Sequence, residues 1–206
     1  MGKQNPVFKA IVLLLIFTFI VAAAGTVFAD KDIEDARKSV VRVRTIAKDG
    51  AVLGNASGFV IGLEEPLEYV VTNYHVVDPL YWGTDKFETY IWISKDDVIR
   101  TKVFIELPDT DIAVLKINKE HLLHGYKLLA LGSRDMVSSA EEIYCIGFPA
   151  AEIADLKQAY WTDTSVTKGI VSKETTSLGT AVYQTDAAIN PGNSVGPLVS
   201  SGTSSA

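Results

Sequence analysis

The stretch from Gln184 to Leu198, QTDAAINPGNSVGPL, sets one serine, Ser194, in a run of glycine and proline with neither helical nor strand periodicity. Gly192 permits close backbone approach and unusual φ values, and Pro197 stiffens the exit. A turn of this composition exposes a hydroxyl and can aim backbone N–H groups at an anion. A serine hydroxyl is a weak nucleophile unless a base takes its proton and donors receive the oxyanion. Ser194 therefore requires a histidine, a carboxylate and a scaffold that holds all three.

Two other stretches answer that requirement. In Thr72-Asn73-Tyr74-His75-Val76-Val77 a histidine follows a strand end. In Asp109-Thr110-Asp111-Ile112-Ala113-Val114-Leu115 a carboxylate, Asp111, stands at the mouth of an apolar strand. The order is His, Asp, Ser, with separations of 111 − 75 = 36 and 194 − 111 = 83 residues. Other polar residues read as structural. Asp109 is a turn residue, His121 and His124 are surface or capping residues, and Cys145 is an inert core thiol inside an apolar strand. Asn55-Ala56-Ser57 has the form of a glycosylation sequon and reads as an ordinary loop. The three histidines show no metal-ligating spacing with carboxylates, so no metal and no cofactor is expected.

The elements around these residues are strands. Alternating or apolar runs predict strands at 40–45, 57–61, 69–72, 89–94, 98–105 and 112–117, the regular spacing of a small barrel. A second set is predicted at 128–131, 142–147, 164–171 and 181–185. Residues 79–88 read as a surface loop and 150–162 as a longer one. Two similar barrels packed together is the economical fold.

The N-terminus has another texture. Lys3 and Lys9 precede an apolar run from Ile11 to Ala24 broken only by Thr18, and Val27-Phe28-Ala29 suits a signal peptidase. From Ile11 to Ala29 there are 29 − 10 = 19 residues, enough to span a bilayer as a helix. Cleaved signal and retained anchor both stay open, and both export the remainder. Residues 30–38 (DKDIEDARK) form a short helix or linker. A net charge of −6 without a basic patch argues against a nucleic-acid partner. The lone cysteine excludes an intramolecular disulfide.

The chain resembles the trypsin/chymotrypsin superfamily of serine proteases, and within it the high-temperature-requirement (HtrA/Deg-like) group. The segments that carry the resemblance are SGFVI, VVTNYHVV, TDIAVLKI, YCIGFP, TKGIVS and QTDAAINPGNSVGPLV, in that order from about Val40 to Val199. The resemblance implies an all-β fold of two six-stranded antiparallel β-barrels of the chymotrypsin type, preceded by the N-terminal hydrophobic helix. The division is 1–29 signal peptide or anchor, 30–38 linker, 39–120 first barrel and 121–206 second barrel. Two further strands are implied after Ser194, and only 206 − 194 = 12 residues follow it, so the second barrel is expected to be truncated.

The implied activity is that of an exported serine endopeptidase working through an acyl-enzyme, in envelope protein quality control. Ser194 is the nucleophile, His75 the general base and acid, and Asp111 the partner of His75. The backbone N–H groups of Gly192 and Ser194 form the oxyanion hole. The primary pocket of the superfamily is floored six residues before the nucleophile, here Ala188 followed by Ile189. No carboxylate stands there for a basic side chain, so cleavage after small or medium aliphatic residues is expected. Asn193 replaces the Asp of zymogen-type relatives, so no proteolytic activation is expected. Val195 stands where relatives carry glycine. The alternative is an inactive protease-like domain that binds exposed peptide segments. Expected partners are protein or peptide substrates and, through an uncleaved N-terminal helix, the membrane; a homo-oligomer is left open. The expected location is the cell envelope, membrane-anchored or periplasmic/extracellular.

Overall fold

The computed structural model describes residues 32–64, 67–94, 96–118, 120, 128–129, 131–132, 137–148, 164–177, 180–189 and 196–200. The apolar N-terminal segment, expected to be helical, lies outside the described residues. Among the described residues no helix is long and apolar enough to cross a membrane.

The first sheet contains β1 (Val40–Ala47), β2 (Val52–Glu64), β3 (Leu67–Thr72), β4 (Phe87–Trp92), β5 (Val98–Thr101), β6 (Val103–Leu107) and β7 (Ile112–Asn118). Every pairing is antiparallel, in the order β5-β4-β1-β2-β3-β7-β6. The two ends of that order are separated in sequence by one residue, Lys102, so the sheet curls until its ends meet. The Thr101 hydroxyl donates to the Lys116 carbonyl at 2.8 Å across this seam. The single strand expected over 98–105 is therefore two. Its first half pairs with β4 and its second with β7, and a continuous strand could not serve both.

Alternate positions of these strands point inward, as a period of two requires. Val41, Val43, Ala56, Val60, Val70, Ile91, Ala113, Leu115 and Ile117 form one buried cluster with Val76 and Val77. Burial of each larger aliphatic side chain stabilises the fold by about 1.5–3 kcal/mol. Space is tight where β2 crosses this core. A Cβ on Gly58 would lie 2.7 Å from Val70 Cγ1 and 3.0 Å from the Val71 carbonyl oxygen. The expected Asn55 loop is instead part of β2. Asn55 pairs with Arg44 and accepts from the Arg44 Nε at 3.1 Å, while Ser57 is buried. Local composition suggested a turn, but pairing with β1 extends the strand through it.

The second sheet has the order β10-β9-β8-β11, from β8 (Glu142–Gly147), β9 (Ser165–Ser177), β10 (Thr180–Thr185) and β11 (Leu198–Ser200). Ile143, Cys145, Val171 and Ala187 form its core. Burial pushes the Cys145 thiol up from its ordinary pKa, opposed by a hydrogen bond with Thr167, which suits an inert core residue. Strand β11 was not expected from its short, largely polar surroundings; it forms because Leu198 and Val199 pair with Cys145 and Tyr144. The strand expected at 128–131 is not seen at its described residues 128, 129 and 131, although the Leu129 N–H donates to the Val60 carbonyl at 3.3 Å.

The sheets are joined through the segment before β1. Residues 32–37 are helical (α1), within the stretch expected to be a short helix or linker. Ile33 and Ala36 pack with Val40 against Ile146 of β8 and Phe148 just beyond that strand. The Phe148 N–H donates to the Ser57 hydroxyl at 2.8 Å, and the buried Arg42 guanidinium lies 4.7 Å from the Phe148 ring centre. Arg37 adds a bond from its Nε to the Thr164 hydroxyl at 2.9 Å.

Candidate active site

His75 owes its place to the end of β3. Thr72 is fully buried and its hydroxyl donates to the Ser57 carbonyl at 2.9 Å, which fixes the strand end. The chain then makes a 3-10 turn over Tyr74–Val76. Val76 and Val77 drop into the first core, so the histidine between this anchor and the strand is turned outward. The Val76 carbonyl accepts from both the Thr45 hydroxyl and the Trp82 Nε1, the latter at 3.0 Å.

Asp111 comes from the neighbouring strand. A 3-10 turn over Pro108–Thr110 ends at Asp111, which has φ 53° and ψ 42°, the left-handed region. Asp and Asn tolerate that region better than most side chains, at a cost of about 1 kcal/mol. Several bonds hold it there. The Asp111 N–H donates to the Pro108 carbonyl at 3.1 Å. The Asp111 carbonyl accepts from the Tyr74 N–H at 3.0 Å and from the Asn73 Nδ2 at 2.8 Å. The carboxylate divides its two oxygens. Oδ1 accepts from the His75 backbone N–H at 2.9 Å, and Oδ2 lies 2.8 Å from His75 Nδ1.

The separation of 36 positions between the two residues is spanned by sheet pairing. Strands β3 and β7 are neighbours, with Thr72 opposite Ala113, so the residues just beyond each strand end must meet. An ionised carboxylate only accepts hydrogen bonds, so its contact with Nδ1 places the ring proton there and leaves Nε2 free to act as a base. The side chains are 35% and 47% exposed, so the pair is open to an incoming molecule. The arrangement suits general base catalysis beside a nucleophile.

The segment carrying Ala188 is fixed against β9. Asp186 Oδ1 accepts from the Ile170 N–H at 2.7 Å, and the Thr167 hydroxyl donates to the Ala188 carbonyl at 2.8 Å. Gly169 makes the approach possible, since a Cβ there would lie 2.4 Å from the Ala187 nitrogen. Ala188 and Ile189 are both exposed. Ser194, Gly192, Asn193 and Val195 lie outside the described residues, as do His121 and His124. Asp109 is an exposed residue of the 3-10 turn, as expected of a turn residue. Among the described residues, no group of three or more His, Cys, Asp or Glu converges as a metal site would require.

Two contributors escaped the sequence reading. Asn73 braces the Asp111 carbonyl, and its place two residues before His75 was the available signal. The second is a short helix, α2 (Pro79–Trp82), inside the expected 79–88 loop. Asp78 caps it by accepting from the Leu80 N–H, Pro79 stands at its start, and Gly83 ends it with φ 64°. Asp-Pro followed by Gly is a start and stop signal for a helical turn.

A model of the trypsin-like peptidase domain matches residues 56–204, which takes in His75, Asp111 and Ser194. The chain belongs to the trypsin-like serine peptidases, in their HtrA/Deg-like group. A protein of Pseudomonas savastanoi pv. phaseolicola named "probable periplasmic serine endoprotease DegP-like" is 38% identical over 146 residues, covering 69% of this chain and 26% of the relative. The "serine protease Do-like HtrA" of Bacillus subtilis is 33% identical over 155 residues, covering 71% of this chain and 31% of the relative. Among solved structures, an HtrA-type protease, AlgW, with tripeptide is similar, with a TM-score of 0.62 and 25% identity. That match covers 84% of this chain and 50% of the other. The chain thus spans about a quarter to a third of the length of the curated relatives it matches. The mostly β, curled sheets described above fit the chymotrypsin-type architecture of this family.

The Asp111 geometry predicts a graded response of stability. Asp111→Ala loses the carboxylate and keeps a Cβ in the left-handed region, and is expected to lose about 2 kcal/mol in urea unfolding. Asp111→Gly loses the same bonds but adopts the conformation freely, and is expected to recover about 1 kcal/mol of that loss. Equal losses for the two variants would contradict a strained backbone at this position.

Proposed function

We propose that the chain is an exported serine endopeptidase that hydrolyses peptide bonds through an acyl-enzyme. The observation that carries this is the two-point hold of Asp111 on His75, on the backbone N–H and on Nδ1, within a peptidase family match that includes Ser194. Ser194 Oγ attacks the carbonyl carbon of the scissile bond while His75 Nε2 takes the hydroxyl proton. Asp111 orients the ring and stabilises the imidazolium that forms. The N–H groups of Gly192 and Ser194 receive the oxyanion. The imidazolium gives its proton to the leaving amine. Water, deprotonated by His75, then attacks the ester carbon and releases Ser194 and the new carboxyl end.

The fold proposed to hold this site is two antiparallel β-barrels of the chymotrypsin type, 39–120 and 121–206, with residues 30–38 as the link from the N-terminal segment. The curled seven-strand order whose ends meet at Lys102 supports the first barrel, because β5 and β6 act as two halves of one strand. The first relative's name places that protein in the periplasm. With the lysine-led apolar run at the N-terminus, that supports an envelope location for this chain and a quality-control role on proteins there. The N-terminal segment is proposed as signal or membrane anchor, and a homo-oligomer is proposed as the assembly to look for.

Ala188 and Ile189 are proposed to line the primary pocket. Their exposure and the firm attachment of Ala187 and Ala188 to β9 support a surface that a substrate side chain can reach. With no carboxylate at these two positions, preference falls on small or medium aliphatic residues.

A fluorophosphonate probe tests the chemistry. Wild type is expected to become labelled and Ser194→Ala to remain unlabelled, with His75→Ala labelled at least about 100-fold more slowly. No labelling of wild type, with binding of apolar peptides retained, would establish the inactive peptide-binding alternative instead. Specificity is checked on a peptide library, where cleavage after Val or Ala is expected to exceed cleavage after Lys by tenfold or more. Equal rates after Lys and Val contradict the pocket assignment.

A further inference from the structure

The short helix α2 has no buried residue, yet it is built with unusual care. Asp78 caps it, Pro79 presets its first turn, and Gly83 closes it in the left-handed conformation. Trp82 then ties it to the body of the fold. Its Nε1 donates to the Val76 carbonyl at 3.0 Å, one residue beyond His75. Its ring covers Gly54 of β2 so closely that a Cβ there would lie 2.4 Å from Trp82 Cζ2. Such anchoring exceeds what a surface loop needs. Its result is the position of Tyr81. The Tyr81 ring stands edge-on to Trp82, with centres 4.7 Å apart and planes at 88°. It also lies against His75, with ring centres 5.2 Å apart and planes at 49°.

We propose that Tyr81 is a positioning residue for His75, one that closes a side of the imidazole and restricts the ring while the acyl transfer proceeds. Asp111 holds the ring by its Nδ1 edge, which fixes direction but leaves the faces open. Tyr81 limits tilting toward α2 and displaces water from that side. The tilted ring, with its centre 5.2 Å from that of His75, is a wall against which the imidazole keeps its direction as it takes up and returns the proton. The effect acts on the transition state more than on substrate binding, and it therefore belongs in kcat. Tyr81 is 60% exposed, so its outer side faces solvent and the effect on His75 is modest.

This proposal rests on the endopeptidase reading, and its test separates the two. The full chain is compared with Tyr81→Phe, Tyr81→Leu and Leu80→Ala, using an aliphatic peptide substrate. Leu80 shares the helix and is 87% exposed, so Leu80→Ala controls for damage to the turn. Tyr81→Leu is expected to lower kcat about two- to fivefold with KM unchanged, while Tyr81→Phe and Leu80→Ala stay at the wild-type value. Wild-type kcat in Tyr81→Leu, a change confined to KM, or failure of Phe to restore kcat would each overturn the proposal. Where wild type neither turns over peptide nor takes the fluorophosphonate, the endopeptidase reading fails and the His75 ring-proton NMR signal decides the contact. A ring-current shift present in wild type and Tyr81→Phe but lost in Tyr81→Leu then upholds the contact while the positioning role in acyl transfer falls with the endopeptidase reading. An unchanged signal in Tyr81→Leu sinks the contact as well.

Discussion

The carboxylate of Asp111 is the interaction on which the site depends. One oxygen holds the backbone of His75 and the other its ring, so a single side chain sets where the imidazole is and which way it faces. The Asp111 carbonyl adds the Tyr74 N–H and the Asn73 side chain. These bonds keep an L-residue in the left-handed region, a strain of about 1 kcal/mol that persists only because its surroundings over-determine it. The conformation has a purpose in geometry. It reverses the chain at the mouth of β7, so the Asp111 backbone and carboxylate both face the end of β3.

The rest of the first sheet makes that encounter unavoidable. Strand β3 lies between β2 and β7, and the pairing of Thr72 with Ala113 brings the two strand ends together. The curl of the sheet, closed at Lys102, buries Val76 and Val77 beneath the turn that carries His75. Thr45 and Trp82 share the Val76 carbonyl and add a second brace from β1 and α2. The site is thus supported by regular structure on one side and by a short, deliberate helix on the other. Precise placement of this kind is what general base catalysis demands, because a base misplaced by about 1 Å loses much of its advantage.

Much of this was legible in the residues. Alternation marked the strands, and the apolar flanks of His75 and Asp111 indicated strand ends. The order of the three residue types limited the chemistry, and the motifs in sequence order identified the family. Other features depend on contacts between distant segments and left a weak local trace. The break at Lys102 arises because the two halves of one run pair with different strands. Asn55 looked like a turn residue and is held in β2 by pairing with Arg44. Strand β11 takes its conformation from Tyr144 and Cys145 and not from its own propensity. Helix α2 did carry a sequence signal, the Asp-Pro and Gly that bound it, but nothing local shows that Tyr81 would meet His75.

Nitrogen-15 NMR of the imidazole reads whether Asp111 fixes the tautomer and direction of His75. At a pH where the ring is neutral, wild type is expected to show a protonated Nδ1 and an unprotonated Nε2, and Asp111→Ala the mixed tautomer of a free histidine. A protonated Nε2 in wild type, or the same spectrum in both proteins, would contradict it.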